Sequence, residues 1–77
     1  MKNVIVYSTN TCPYCDMTKR WLKDNNIVFV EKNVQEDYDA AEEMMAKSGQ
    51  MGVPVIDIDG TIIIGFDVNK LKKMLLQ

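Results

Sequence analysis

The sequence predicts one small α/β domain with elements in the order βαβαββα, and three observations carry that expectation. Asn3 to Tyr7 holds Val4, Ile5, Val6 and Tyr7 without polar interruption, the pattern of a strand covered on both faces. Three later segments space their apolar residues at helical intervals. Asp59-Gly60 parts two β-rich runs, a strong short-range hairpin signal. With 77 residues the chain buries only about 60% of the surface that its unfolded form exposes, so a single domain over 1–77 is expected.

Each element has its own reason. Asn3 to Tyr7 reads as the central strand, and Ser8 to Thr11 as a polar loop. The first helix is expected from Pro13 to Asp24, because a proline at the first helical position lacks only an N–H that has no partner there anyway. Thr11 or Cys12 would cap it. Met17 and Trp21 share its apolar stripe with Leu22, and Trp21 is expected in the core. Lys19, Arg20 and Lys23 occupy the later turns, where cations suit the helix dipole. Asn25-Asn26 stops it. Ile27 to Val30 is the second β-rich run, and its return through a helix implies a parallel pairing with the first strand. The second helix is expected over Asp37 to Ser48, with Ala40, Ala41, Met44 and Met45 facing inward and Gly49 just past its end. Val53 to Ile58 and Thr61 to Ile64 form the hairpin, with Asp57 and Asp59 solvating its turn. Asp67 caps a third helix whose Val68, Leu71, Met74 and Leu75 lie at helical spacing. The methionines at these positions, Met17, Met44, Met45 and Met74, read as flexible core filler.

Composition excludes several classes. Hydrophobic residues make up 47% and charged residues 26%, too apolar for disorder. Eleven acidic against nine basic residues leave a net charge of −2, so neither nucleic acid nor an anionic membrane is an expected partner. No stretch approaches the roughly 20 apolar residues of a membrane span, and the run after Lys2 is shorter than a signal-peptide core. A cytoplasmic protein is expected, in a compartment that keeps thiols reduced. A monomer is expected too.

The chemistry lies in Cys12-Pro13-Tyr14-Cys15. Cys12 falls where the first strand gives way to the first helix, near unpaired backbone N–H groups and the positive end of the helix dipole. Such placement lowers a cysteine pKa from about 8.5 to roughly 3.5–7.5, and the thiolate is the attacking species in disulfide exchange. Cys12 is therefore read as nucleophile. Cys15, one turn on, can attack a mixed disulfide at Cys12 and release the substrate. Lys19, one further turn along the same face, adds a positive charge that favours the thiolate. Pro54 stands before the third strand, where an exposed Val53 backbone could pair with an extended peptide.

Together, Cys12-Pro13-Tyr14-Cys15 after an apolar strand, Gly52-Val53-Pro54 before the hairpin and Gly65-Phe66-Asp67 before the last helix resemble a glutaredoxin over essentially the whole chain. The resemblance implies the thioredoxin fold, a four-stranded mixed sheet flanked by three helices, with a cis Pro54. It implies a glutathione-dependent enzyme that reduces disulfide-containing or glutathionylated proteins, with glutathione as co-substrate and no tightly bound cofactor. Carried onto this chain, Thr9, Tyr14, Val53, Pro54, Gly65, Phe66 and Asp67 would line the glutathione groove. Val53 would pair with the cysteinyl part, and Gly65, Phe66 and Asp67 would hold the γ-glutamyl end.

The chain departs from that pattern in three places. Thr9 stands where many glutaredoxins have a lysine that neutralises a glutathione carboxylate. Gly52 replaces a common threonine before Val-Pro, and Phe66 replaces a residue that is often cysteine. A Gly-Phe pair also occurs in glutaredoxin-like redoxins that draw electrons from thioredoxin reductase for ribonucleotide reductase, and that family is the alternative reading; Asp67 favours glutathione. A reading of another class is a dimer that bridges zinc or an iron–sulfur cluster through two Cys-x-x-Cys pairs, since one chain has no histidine and no further cysteine to complete a tetrahedral site. Lacking histidine, the chain has no base for cysteine–histidine hydrolase chemistry.

Overall fold

A computed structural model describes residues 2–76. The elements are β1 (Val4–Ser8), α1 (Pro13–Asp24), β2 (Val30–Asn33), α2 (Tyr38–Ser48), β3 (Val55–Ile58), β4 (Thr61–Ile64) and α3 (Val68–Leu75). This is the expected βαβαββα order. The strands lie in the order β2-β1-β3-β4, with β2 parallel to β1 and both other pairs antiparallel.

Helix ends follow the local chemistry. Asp37 and Asp67 accept hydrogen bonds from the backbone N–H groups of Ala40 and Lys70 at their helix starts, which satisfies donors the helix leaves unpaired. Gly49 closes α2 with φ 73°, a left-handed conformation that costs glycine little. At the hairpin, Asp59 and Gly60 both take positive φ, 49° and 95°, as a two-residue turn between right-twisted strands demands.

The second strand sits further along than periodicity suggests. Ile27 and Phe29 pack against the core, but Ile27 N–H still bonds the Leu22 carbonyl as the chain leaves α1. Pairing with β1 starts at Val30 and runs through Glu31, Lys32 and Asn33. These polar residues can occupy a strand because Glu31 and Lys32 each find an oppositely charged partner on a helix.

The core has two parts. On one face Val4, Val6, Leu22, Ile56, Ile58, Ile63 and Leu71 form a buried apolar cluster under α1 and α3, with Trp21, Phe66 and Met74 packed against it. On the other, Tyr7, Met44 and Val55 form a smaller cluster under α2. Of the methionines, Met44 is buried, whereas Met17 and Met45 are exposed; the buried stripe of α1 is Cys15, Thr18 and Leu22. Asp57 also departs from expectation. It is buried in β3, where it accepts from Lys47 Nζ at 2.7 Å and from Gly60 N–H at 2.7 Å.

Candidate active site

The site is built at one end of the sheet's two central strands, where β1 ends and β3 begins. Tyr7 pairs with Val55, so the loop after Ser8 and the segment that ends in Pro54 emerge side by side. Val55 pairs in turn with Ile64, and Gly65 N–H bonds the Pro54 carbonyl at 2.9 Å. Gly65 has φ 84°, a turn any Cβ would strain. The register alone thus assembles three chain segments that are far apart in sequence.

Cys12 is the N-cap of α1, with extended φ −149° and ψ 98°, and Pro13 follows at the helix start. Cys12 and Cys15 form a disulfide with Cα atoms 5.2 Å apart. The Cys15 N–H points at Cys12 Sγ at 3.1 Å, one of the orphan helix donors aimed at the sulfur. The two cysteines differ in exposure. Cys12 keeps 9% of its surface, whereas Cys15 keeps none.

Around the dithiol, Tyr14 is 62% exposed beside Cys12. Thr9 is half-buried in the loop before it. The Val53–Pro54 bond is cis, Pro54 is fully buried and Val53 is half-buried against the α2-side cluster. Phe66 leans on the core under α3, and Asp67 accepts from Lys70 N–H at 3.1 Å as a helix cap.

Lys19 sits on α1 one turn beyond Cys15, as expected from its spacing, and has acidic partners that the spacing did not reveal. Its ammonium bonds Glu31 at 2.6 Å and stands 3.6 Å from Asp16, so its charge is already engaged. The Glu31 bond raises the Lys19 pKa above its usual value, and the Lys19 and Ser8 bonds lower that of Glu31.

Two further residues shape the site and were not singled out by motif. Gln50 clasps Gly52: Gly52 N–H donates to Gln50 Oε1 at 2.6 Å and Gln50 Nε2 donates to the Gly52 carbonyl at 3.0 Å. A Cβ at Gly52 would lie 2.7 Å from Gln50 Oε1, so a larger residue there would push the Gln50 side chain out of the clasp. Glu31 on β2 accepts from fully buried Ser8 as well as from Lys19. No signal in the sequence marked Glu31: Ser8 reads as loop there, and its burial at the end of β1, which obliges its hydroxyl to find a partner, is set by the fold.

Among the described residues, no group of three His, Cys, Asp or Glu side chains could hold a metal ion, and no helix is long and apolar enough to cross a membrane.

The glutaredoxin family model matches residues 4–63, most of the chain and all of the dithiol frame. The chain belongs to the glutaredoxin family. Its sequence is 51% identical over 70 residues to an uncharacterized glutaredoxin-like 8.6 kDa protein in the rubredoxin operon of Clostridium pasteurianum, covering 91% of this chain and 93% of that one. It is 37% identical over 71 residues to the glutaredoxin-like protein NrdH of Lactococcus lactis subsp. cremoris (strain MG1363), covering 92% and 97%. Glutaredoxin 3 of Escherichia coli (strain K12) is 39% identical over 67 residues, covering 87% and 81%. Among solved structures, the thioredoxin-like protein BC3987 superposes with a TM-score of 0.90 at 32% identity, covering 95% of this chain and all of that one. The glutaredoxin frame, a mixed four-stranded sheet with three helices, carries here a Cys-x-x-Cys pair able to close a disulfide.

Proposed function

We propose that this glutaredoxin-family protein reduces protein disulfides and protein–glutathione mixed disulfides, with glutathione as its electron donor. The observation that carries the reading is the asymmetric disulfide at the helix start, with Cys12 reachable and Cys15 enclosed. In the reduced protein the Cys12 thiolate attacks one sulfur of the substrate disulfide; that S–S bond breaks and its electron pair leaves on the other sulfur, which takes a proton. Cys15 then attacks Cys12 Sγ, the mixed disulfide breaks, and the second substrate sulfur leaves as a thiol. Two electrons have passed to the substrate, and the Cys12–Cys15 disulfide is closed. Two glutathione thiols reopen it and become glutathione disulfide. With a glutathionylated substrate, a second glutathione can resolve the intermediate in place of Cys15.

The groove assignment follows the same reading. The Val53 backbone beside Pro54 offers an extended peptide its hydrogen bonds, Tyr14 lies along the glutathione, and Asp67 faces the γ-glutamyl ammonium. Thr9 and the Gly65-Phe66 backbone complete the groove. Lys19, one helical turn beyond Cys15, is the thiolate-stabilising candidate, and its ammonium is shared with Glu31. Such a protein would serve disulfide-containing or glutathionylated proteins as a cytoplasmic monomer. The 37% identity to a protein named NrdH, together with the Gly65-Phe66 pair, supports a second reading in which thioredoxin reductase supplies the electrons.

The reductant decides. Turnover of a glutathionylated peptide in a glutathione and glutathione-reductase coupled assay is expected; reduction only by thioredoxin reductase would overturn the glutathione reading. Cys12→Ser should abolish activity on every substrate. Full deglutathionylation by Cys15→Ser would establish the single-thiol route for that substrate class.

A further inference from the structure

Glu31 takes no part in the thiol chemistry, yet it ties together both ends of the dithiol's mount. A single carboxylate oxygen, Oε2, accepts from Ser8 Oγ at 2.8 Å and from Lys19 Nζ at 2.6 Å. Ser8 is fully buried at the end of β1, four residues before Cys12. Lys19 stands one helical turn beyond Cys15, at the i,i+4 spacing that makes side chains neighbours. This spacing puts Lys19 next to Cys15 along α1, and the carboxylate on β2 engages its ammonium.

We infer that Glu31 is a positioning residue that holds Lys19 in a neutral pair and so limits how strongly the protein favours the reduced dithiol. The inference rests on the reading of Cys12 and Cys15 as a redox couple. A nearby positive charge favours the thiolate, and whatever stabilises the reduced form makes a disulfide more oxidising. With Glu31 ionised, the charge of Lys19 is largely cancelled at the sulfurs. The depressed pKa of Glu31, caused first by the Lys19 bond and then by the Ser8 hydroxyl, keeps it ionised around neutral pH.

The other charges near this end are few. Helix α1 contributes Asp16, an exposed carboxylate 3.6 Å from the Lys19 ammonium that is retained in every variant below, and Lys23, which adds to the field on Glu31; α3 contributes Asp67 at its cap. Segments 8–12 and 50–54 carry no charged side chain. The Lys19–Glu31 pair is thus the adjustable charge on the α1 side of the couple.

Glu31→Gln tests this, because the amide oxygen can still accept from Ser8 while the negative charge is gone. The readout is the redox equilibrium with dithiothreitol, in which the protein disulfide opens to two thiols as dithiothreitol closes to its cyclic disulfide. Glu31→Gln should shift this equilibrium about threefold toward the protein dithiol and lower the thiol titration midpoint by about half a pH unit, an effect of the size expected for a part-exposed pair. Lys19→Gln should shift both in the opposite direction, and the double variant should return near the wild type. Ser8→Ala should lower the urea midpoint and leave both redox readouts in place. If Glu31→Gln changes stability alone, or if Lys19→Gln shifts the equilibrium the same way, the inference is overturned. If Glu31→Gln fails to fold, the sign of the Lys19→Gln shift decides by itself. A wild-type disulfide that does not exchange with dithiothreitol would instead sink the redox reading from which the inference starts.

Discussion

Under α1 and α3 the sheet is closed by a continuous apolar cluster that reaches from Val4 and Val6 through Leu22 to Leu71. Under α2 the buried apolar cluster shrinks to Tyr7, Met44 and Val55, and side-chain polar bonds take over. There Lys47 Nζ donates to the Tyr7 hydroxyl at 2.9 Å and to Asp57 at 2.7 Å, the Tyr7 hydroxyl donates to Glu43, and Lys32 donates to Glu43 at 3.0 Å. Apolar burial is non-directional and indifferent to pH, whereas the α2 clamp is directional and depends on protonation. The difference teaches how so short a chain closes both faces. One face supplies most of the hydrophobic driving force and carries the dithiol helix; the other is held by a few bonds to one helix, whose end leads into the Gly52-Val53-Pro54 segment.

The largest expected effect breaks the apolar side. Leu22→Ala should destabilise the protein by about 2–5 kcal/mol in urea unfolding, since it leaves a cavity in the enclosed cluster. A cost below about 1 kcal/mol would show that this face does not dominate. On the clamp side, Asp57→Ala removes the acceptor for both Lys47 and the Gly60 N–H. A loss of about 1–3 kcal/mol is expected, the order found for hydrogen bonds made to a charged group.

The acid dependence sharpens the contrast further. Hydrogen bonds from Tyr7 and then Lys32 lower the Glu43 pKa from 4.5 to about 2. A carboxylate whose folded pKa is depressed contributes stability that is present above its unfolded pKa and is lost as the pH falls through the folded value. The loss is expected between about pH 5 and pH 2. Because the Glu43 side chain keeps 36% of its surface, solvent screening limits the contribution to about 1 kcal/mol. Urea midpoints at pH 6 and pH 3 for wild type and Glu43→Gln measure it, and the variant should show the smaller difference. Equal differences would place the acid-sensitive group elsewhere.

The smallest effect concerns the clasp beside the site. Gln50→Ala should cost no more than about 1 kcal/mol but should speed hydrogen exchange at the Gly52 amide, which loses its 2.6 Å acceptor. Unchanged exchange there would mean that the backbone holds the segment unaided.

How much of this was legible differs along the same divide. The helix starts at Pro13, Asp37 and Asp67, the stop at Gly49 and the turn at Asp59-Gly60 are written in local steric and hydrogen-bonding preferences, which a sequence displays directly. Cys12 at the start of α1 was legible for the same reason. The exposure of Met17 and Met45 was not, because two residues at helical spacing can straddle the edge of a stripe, and only the opposing sheet decides which is covered. Nor was the strand through Val30–Asn33, since Glu31 and Lys32 read as polar until Lys19 and Glu43 are brought against them. Asp57 reads as turn solvation for a similar reason: its partner Lys47 is ten residues away on α2.

By itself, then, the sequence determined the order of elements, their caps and turns, and the dithiol at the mouth of the first helix, because each depends on interactions among residues a few positions apart. The tertiary structure decided which cysteine keeps exposed surface, where the second strand pairs, that Lys19 is held by Glu31, and that Gln50 clasps Gly52. Access, charge pairing and burial depend on which distant segments are packed together, and that is set only when the sheet closes with its register in place.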